Sequence, residues 1–113
     1  MVKRPIKESD LEESDLFIPE NGVPFNFIFD NDGMLDTMEI IDEITKKIKE
    51  RPLYIFDGKV MIDGGYVPKT MSFLSKQVAT QIRLRKPLKD KEFTINVMKL
   101  DKFRYRVLMT KTS

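Results

Sequence analysis

The sequence predicts an α+β fold in the order β-α-ββ-α-ββ, a mainly antiparallel sheet with two helices packed on one face. Three observations lead there. Phenylalanine alternates with other residues over 25–29, apolar residues recur every three or four positions over 34–48 and 71–82, and apolar runs flank Asp57-Gly58 and Asp101-Lys102. Residues 1–15 read as a flexible charged arm, and residues 16–113 as a single small domain.

The first strand is expected around Phe25, Phe27 and Phe29. A turn at Asn21-Gly22 is available before it, and Pro19 and Pro24 confine any pairing there to an edge. Residues 34–50 then read as a helix. Met34, Met38, Ile41, Ile44 or Thr45, and Ile48 form its apolar stripe, Asp36 and Glu39 have capping-box spacing, and Pro52 stops it. Lys46, Lys47 and Lys49 suit the negative end of its dipole.

Asp57-Gly58 fits a two-residue hairpin turn, with Leu53, Ile55, Val60 and Ile62 on the core face and Tyr54, Phe56, Lys59 and Met61 on the other. The segment from Asp63 to Pro68 reads as a loop. A second helix is expected over about residues 70–85, burying Met71, Leu74, Val78 and Ile82 with Phe73 beside them, and Pro87 ends it. Residues 91–111 read as a long hairpin turning near Asp101-Lys102.

Charge is divided along the chain. Residues 1–50 hold 13 acidic and 6 basic residues, a net of −7, whereas residues 51–113 hold 14 basic and 5 acidic, a net of +9. An electropositive surface in the second half is therefore expected, with nucleic acid, an acidic protein or the chain's own acidic arm as its partner. Absence of cysteine removes disulfides and thiolate zinc sites, and absence of histidine removes the commonest metal ligand and neutral-pH general base. No apolar run has the roughly 18 residues of a membrane helix, and no signal peptide opens the chain, so a soluble cytoplasmic protein is the expectation.

The segment SKQVATQIRLRKPLKDK, residues 75–91, carries six basic residues and one acidic one. With the apolar stripe inward, Lys76, Thr80 and Arg83 share an outer face, Gln77 and Gln81 flank it, and Arg85, Lys86, Lys89 and Lys91 follow. Such residues contact phosphates, and Gln and Arg also reach base edges; an ordinary solvated helix face has the same composition. In KFRYR, residues 102–106, a turn at Asp101-Lys102 pairs Lys99 with Arg104 and Val97 with Arg106. That register gathers positive charges on one face and turns Phe103 and Tyr105 toward the core. Lys76, Arg83, Arg85, Lys86, Lys99, Arg104 and Arg106 are thus the candidate nucleic-acid-binding residues, and the helix and hairpin together are expected to form one surface.

Two catalytic or metal patterns carry less. Asp30, Asp32, Gly33, Asp36 and Glu39 have the spacing of part of a calcium loop, but Ile28 stands at its first ligand position; a turn into a capped helix explains them. Asp57-Gly58-Lys59 has the acid-x-Lys form of metal-dependent nucleases, with Asp32, Glu39 and Asp63 as further carboxylates, yet Asp-Gly is also what a hairpin tip requires. No metal, cofactor or catalytic residue is assigned.

With the segments GGYVPKTMSFLSKQVATQIRLRK, EFTINVMKL and FRYRVLMTK as the comparable residues, the order strand, helix, strand, basic helix and long hairpin loosely resembles the Alba-type chromatin and RNA-binding proteins. That resemblance implies dimeric nucleic-acid binding. The loop after the first strand is basic in that family and DNDG here, residues 53–56 add a hairpin arm, and no site residue is carried over. The expected function is non-catalytic nucleic-acid binding by the basic surface. The alternative is a regulatory or inhibitory module docking on a larger protein through its arm, strand edges or basic face, with a homodimer through a free strand edge possible in either case.

Overall fold

The chain is described by a computed structural model over residues 15–112 and the short strand at residues 5–6. The charged arm expected over residues 1–15 therefore lies almost wholly outside the described residues. Among the described residues, seven strands and one helix are seen: β1 (Pro5–Ile6), β2 (Phe25–Phe29), β3 (Met34–Ile41), β4 (Ile48–Ile62), β5 (Gly65–Phe73), α1 (Lys76–Arg83), β6 (Glu92–Lys99) and β7 (Tyr105–Lys111).

β4 organises the sheet. One of its edges pairs with β3 over residues 48–55 and with β2 over 58–60, and the other pairs with β5 from Tyr54 onward. β6 and β7 continue the sheet beyond β2, and β1 runs parallel to β3 at Thr37 and Met38. α1 packs against β7 and, less extensively, β5, so it lies between the two outer strands. Around this frame Phe27, Phe29, Phe56, Val60, Met71, Val78, Ile82, Leu88 and Ile95 form one buried core. Phe29 is its aromatic centre, meeting Phe27, Phe56 and Phe93 edge-on with ring centroids 4.9, 6.0 and 5.9 Å away. Phe17 seals one end: its N–H donates to Thr70 O (2.9 Å), and its ring stands 4.7 Å from that of Phe25.

The architecture corrects the two-helix expectation. Residues 34–41 form a strand, and its eight partners on β4 override the local three-four spacing. Thr37, Ile40 and Ile41 are β-branched, which suits the pleat. Asp36 caps no helix; it is buried opposite Leu53. Asp42 closes the connection instead, its Oδ1 accepting the N–H groups of Ile44 (2.9 Å) and Thr45 (3.2 Å), while Lys46 adopts a φ of 60°. Pro52 lies inside β4, two residues before β5 begins to pair, so its missing N–H breaks no β4–β5 bond. With the first helix gone, the strand-helix-strand order behind the Alba resemblance is gone too.

The hairpin at Asp57-Gly58 is also corrected. β4 runs straight through it, and the chain turns at Asp63-Gly64, whose φ values of 50° and 84° fit the two-residue turn between Ile62 and Gly65. Continuous alternation then places Tyr54, Phe56, Gly58 and Val60 on the main core side. Leu53 and Ile55 face a smaller cluster with Met34 and Met38. Gly58 serves as a place of close approach: a Cβ there would stand 2.1 Å from Ile28 O and 2.5 Å from the Phe27 ring.

The remaining helix is shorter than expected. Residues 70–73 complete β5, and Ser75 caps α1 by accepting Val78 N–H at 3.3 Å. Val78 and Ile82 are buried as expected, Met71 is buried from the strand, and Leu74 is exposed.

Candidate nucleic-acid interface

α1 is amphipathic in three directions. Val78, Ala79 and Ile82 enter the core. Gln77 and Gln81, one turn apart, face β7 and bond its backbone. Gln77 donates to Phe103 O (2.9 Å) and accepts from Tyr105 N (3.0 Å), and Gln81 donates to Tyr105 O (2.8 Å) and accepts from Val107 N (2.8 Å). These amides act as a substitute strand, satisfying an edge that β6 pairs on one side only. They are occupied by the fold and do not extend the basic face.

Lys76 and Arg83, seven positions apart, occupy the opposite flank and face β3 and β4. There they line a cavity of about 370 Å³ together with Lys86, and Leu35 and Tyr54, directly opposite one another on β3 and β4, form its wall. Thr80 brings a hydroxyl, while Ala79 and Leu84 are apolar. Among the described residues, three cations and no carboxylate line this space. Arg83 is half-buried, and its Nε is fully buried with no hydrogen-bond partner among the described residues. An unpaired buried guanidinium N–H is costly, which makes the cavity receptive to an oxygen acceptor.

The position of Lys86 follows from the loop after α1. Helix exit is tightened by Arg85 N–H to Ile82 O (3.1 Å) and Lys86 N–H to Arg83 O (3.2 Å), and the Lys86-Pro87 peptide is cis. Leu88 then drops into the core. Asp32, in the turn after β2, accepts Leu88 N–H at 2.7 Å and Lys89 N–H at 3.4 Å. The Leu88 N–H above all, with help from the Lys89 N–H and the charges of Lys86 and Arg83, holds the Asp32 carboxyl below the ordinary range. A depressed carboxylate stabilises the fold above its unfolded pKa and loses that contribution as the pH falls below about 4. Asp32→Ala is therefore expected to lower the melting temperature at neutral pH and to lose less stability than the parent between about pH 5 and pH 2.5. Thermal unfolding across that range checks it; equal acid losses in both proteins would contradict the anchoring role.

The hairpin residues lie elsewhere. Loop residues 100–104 separate β6 from β7, so Lys99 pairs with Tyr105 and Met98 with Arg106, one position away from the expected register. A one-residue slip moves side chains to the other face. Arg106 joins the outward face beside Met98, and Arg104 is held by Asp101 at 2.5 Å. Phe103 is 74% exposed, a correction to its core assignment, whereas Tyr105 packs on the core. The seven candidates thus do not form one surface: Lys76, Arg83 and Lys86 gather at the cavity with exposed Arg85 beside them in sequence, whereas on the hairpin Lys99 shares the face of Tyr105, Arg106 lies on the other face, and Arg104 is in the loop.

The acidic patterns find structural duties. Asp32 anchors the helix exit, Asp57 accepts from Thr70 Oγ1 (2.7 Å) within the β4–β5 ladder, and Asp63 sits in the hairpin turn. Among the described residues no three acidic side chains are grouped to hold a metal ion, and no helix is long and apolar enough to cross a membrane. Tyr54, Leu35 and Asp32 are the site residues missed in the sequence; only the aromatic character of Tyr54 signalled one. Comparison of the chain with protein-family models, curated proteins and solved structures found no match.

Proposed function

We propose that this protein is a non-catalytic nucleic-acid-binding protein of the cytoplasm, working through the basic flank of α1 and its exit: Lys76, Arg83, Arg85 and Lys86. The convergence of three of these cations on one cavity, with no carboxylate lining it among the described residues, carries the reading. Phosphate oxygens are the acceptors that Lys and Arg meet in nucleic acids, and the contacts give affinity with little sequence preference. The hairpin group is a weaker contributor on this reading, since Arg104 already has a counter-ion in Asp101.

Docking to another protein is the second reading. It is favoured by an apolar groove of about 430 Å³ between the segment of Leu16 and Ile18, the end of β5 at Phe73 with Leu74 after it, and Tyr105. Fluorescence anisotropy with labelled single- and double-stranded DNA and RNA, at low and near-physiological salt, separates the two. Salt-sensitive binding supports the nucleic-acid reading, and no binding even at low salt favours the protein partner.

A further inference from the structure

The cavity beside α1 is more than a charged surface. Its volume of about 370 Å³ lies within the range of small-ligand sites, roughly 300–1,000 Å³. Its cations come from three points of the chain: the first turn of α1, its last residue and the exit loop pinned by Asp32. Arg83 lines the cavity, and its Nε is buried with no hydrogen-bond partner among the described residues. Tyr54 adds an aromatic wall, with Leu35 beside it.

A duplex presents its phosphates on a rigid backbone with the bases stacked inside, so Lys76 and Lys86 reach them from the surface while Tyr54 meets no base face. A flexible single strand offers a phosphate and an unstacked base together. From this geometry we infer that the cavity takes one nucleotide of a single-stranded nucleic acid, its phosphate held by Lys76, Arg83 and Lys86 and its base set against Tyr54 and Leu35. The inference rests on the nucleic-acid reading above and adds to it a preference for single strands and a place for one base. Asp32, the nearby acid, has its Oδ1 on the Leu88 and Lys89 N–H groups and feels the charges of Lys86 and Arg83, but it does not line the cavity.

The test is anisotropy of the full chain with a labelled 12-nucleotide single strand, as DNA and as RNA, with and without a 5′-phosphate, and with the blunt duplex of the same sequence. Single strands are expected to bind about tenfold tighter than duplex, within the range that one base–aromatic stack supplies. Arg83→Lys keeps the charge and removes the buried Nε–H, and Tyr54→Leu keeps apolar volume and removes the ring. Both are expected to weaken single-strand binding about tenfold; Tyr54→Leu should leave duplex binding unchanged and Arg83→Lys should weaken it less than single-strand binding, while Tyr54→Phe retains the preference. Circular dichroism and thermal unfolding confirm that each variant folds. A gain from the 5′-phosphate assigns the cavity to a strand end, and equal binding without it to an internal nucleotide; either supports the inference. Equal affinity for strand and duplex, or variants that weaken both alike, would overturn the inference and leave nucleic-acid binding standing. No binding of any probe at low salt overturns both.

Discussion

Gly58→Ala is expected to lower the melting temperature by about 15 °C, a loss of about 3 kcal/mol at the upper end of overpacking costs. Gly58 lies mid-strand in β4 opposite Phe29, and the added methyl would collide with a backbone carbonyl, that of Ile28, and with the Phe27 ring. A carbonyl in a paired strand cannot rotate away as a side-chain end does, so β2 and β4 must separate or the core aromatics must move. Gly64→Ala is the matched control. Its φ is +84°, but nothing lies within 4 Å of the new Cβ, so only conformational strain of about 1 kcal/mol is at stake. Thermal or urea unfolding of the two variants side by side reads the difference. Equal, small losses would mean that Gly58 is a turn glycine and that β4 does not run through it.

Truncating both glutamines of α1, Gln77→Ala with Gln81→Ala, is expected to cost about 3 kcal/mol. Three hydrogen bonds to β7 and one to Phe103 in the loop before it are lost at about 0.5–1.5 kcal/mol each, and Tyr105 and Val107 are left with unpaired edge groups. Alanine is itself a better helix former, which offsets a few tenths of this. The loss should appear in unfolding, and amide hydrogen exchange should quicken most at Tyr105 and Val107, the two residues whose N–H groups the amides hold. A double variant as stable as the parent, with unchanged exchange at those amides, would show that helix docking rests on Val78, Ala79 and Ile82 alone.

The sequence was informative where one local rule acted without rivals. Alternation marked β2, Val78 and Ile82 marked the inner face of α1, and charge division marked the helix that carries Lys76 and Arg83. Residues 34–48 satisfied two periods at once, because methionines and isoleucines fall at both helical and alternate positions; the pairing with β4 decided, and pairing is not a local property. Two Asp-Gly pairs lie six residues apart, and both fit a hairpin tip. What distinguishes Asp57-Gly58 is the approach of Ile28 and Phe27, which comes from a strand thirty residues earlier. For the site, the cations were legible as composition. Their grouping was not: it depends on the helix's rotation, on the five-residue loop that shifts Arg104 and Arg106, and on Asp32 drawing in the exit loop.

The central claim is that the basic flank of α1, and not the terminal hairpin, meets nucleic acid. Its most direct test is the salt dependence of single-strand affinity for the parent, for Lys76→Ala with Lys86→Ala, and for Lys99→Ala with Arg106→Ala. All four side chains are exposed, so neither pair should disturb the core. Three phosphate contacts predict a slope of log K against log salt of about −2 for the parent. The flank pair should flatten it by about 1.4, and the hairpin pair should leave it nearly unchanged. A slope that the flank pair leaves intact, or that the hairpin pair abolishes, would contradict the account.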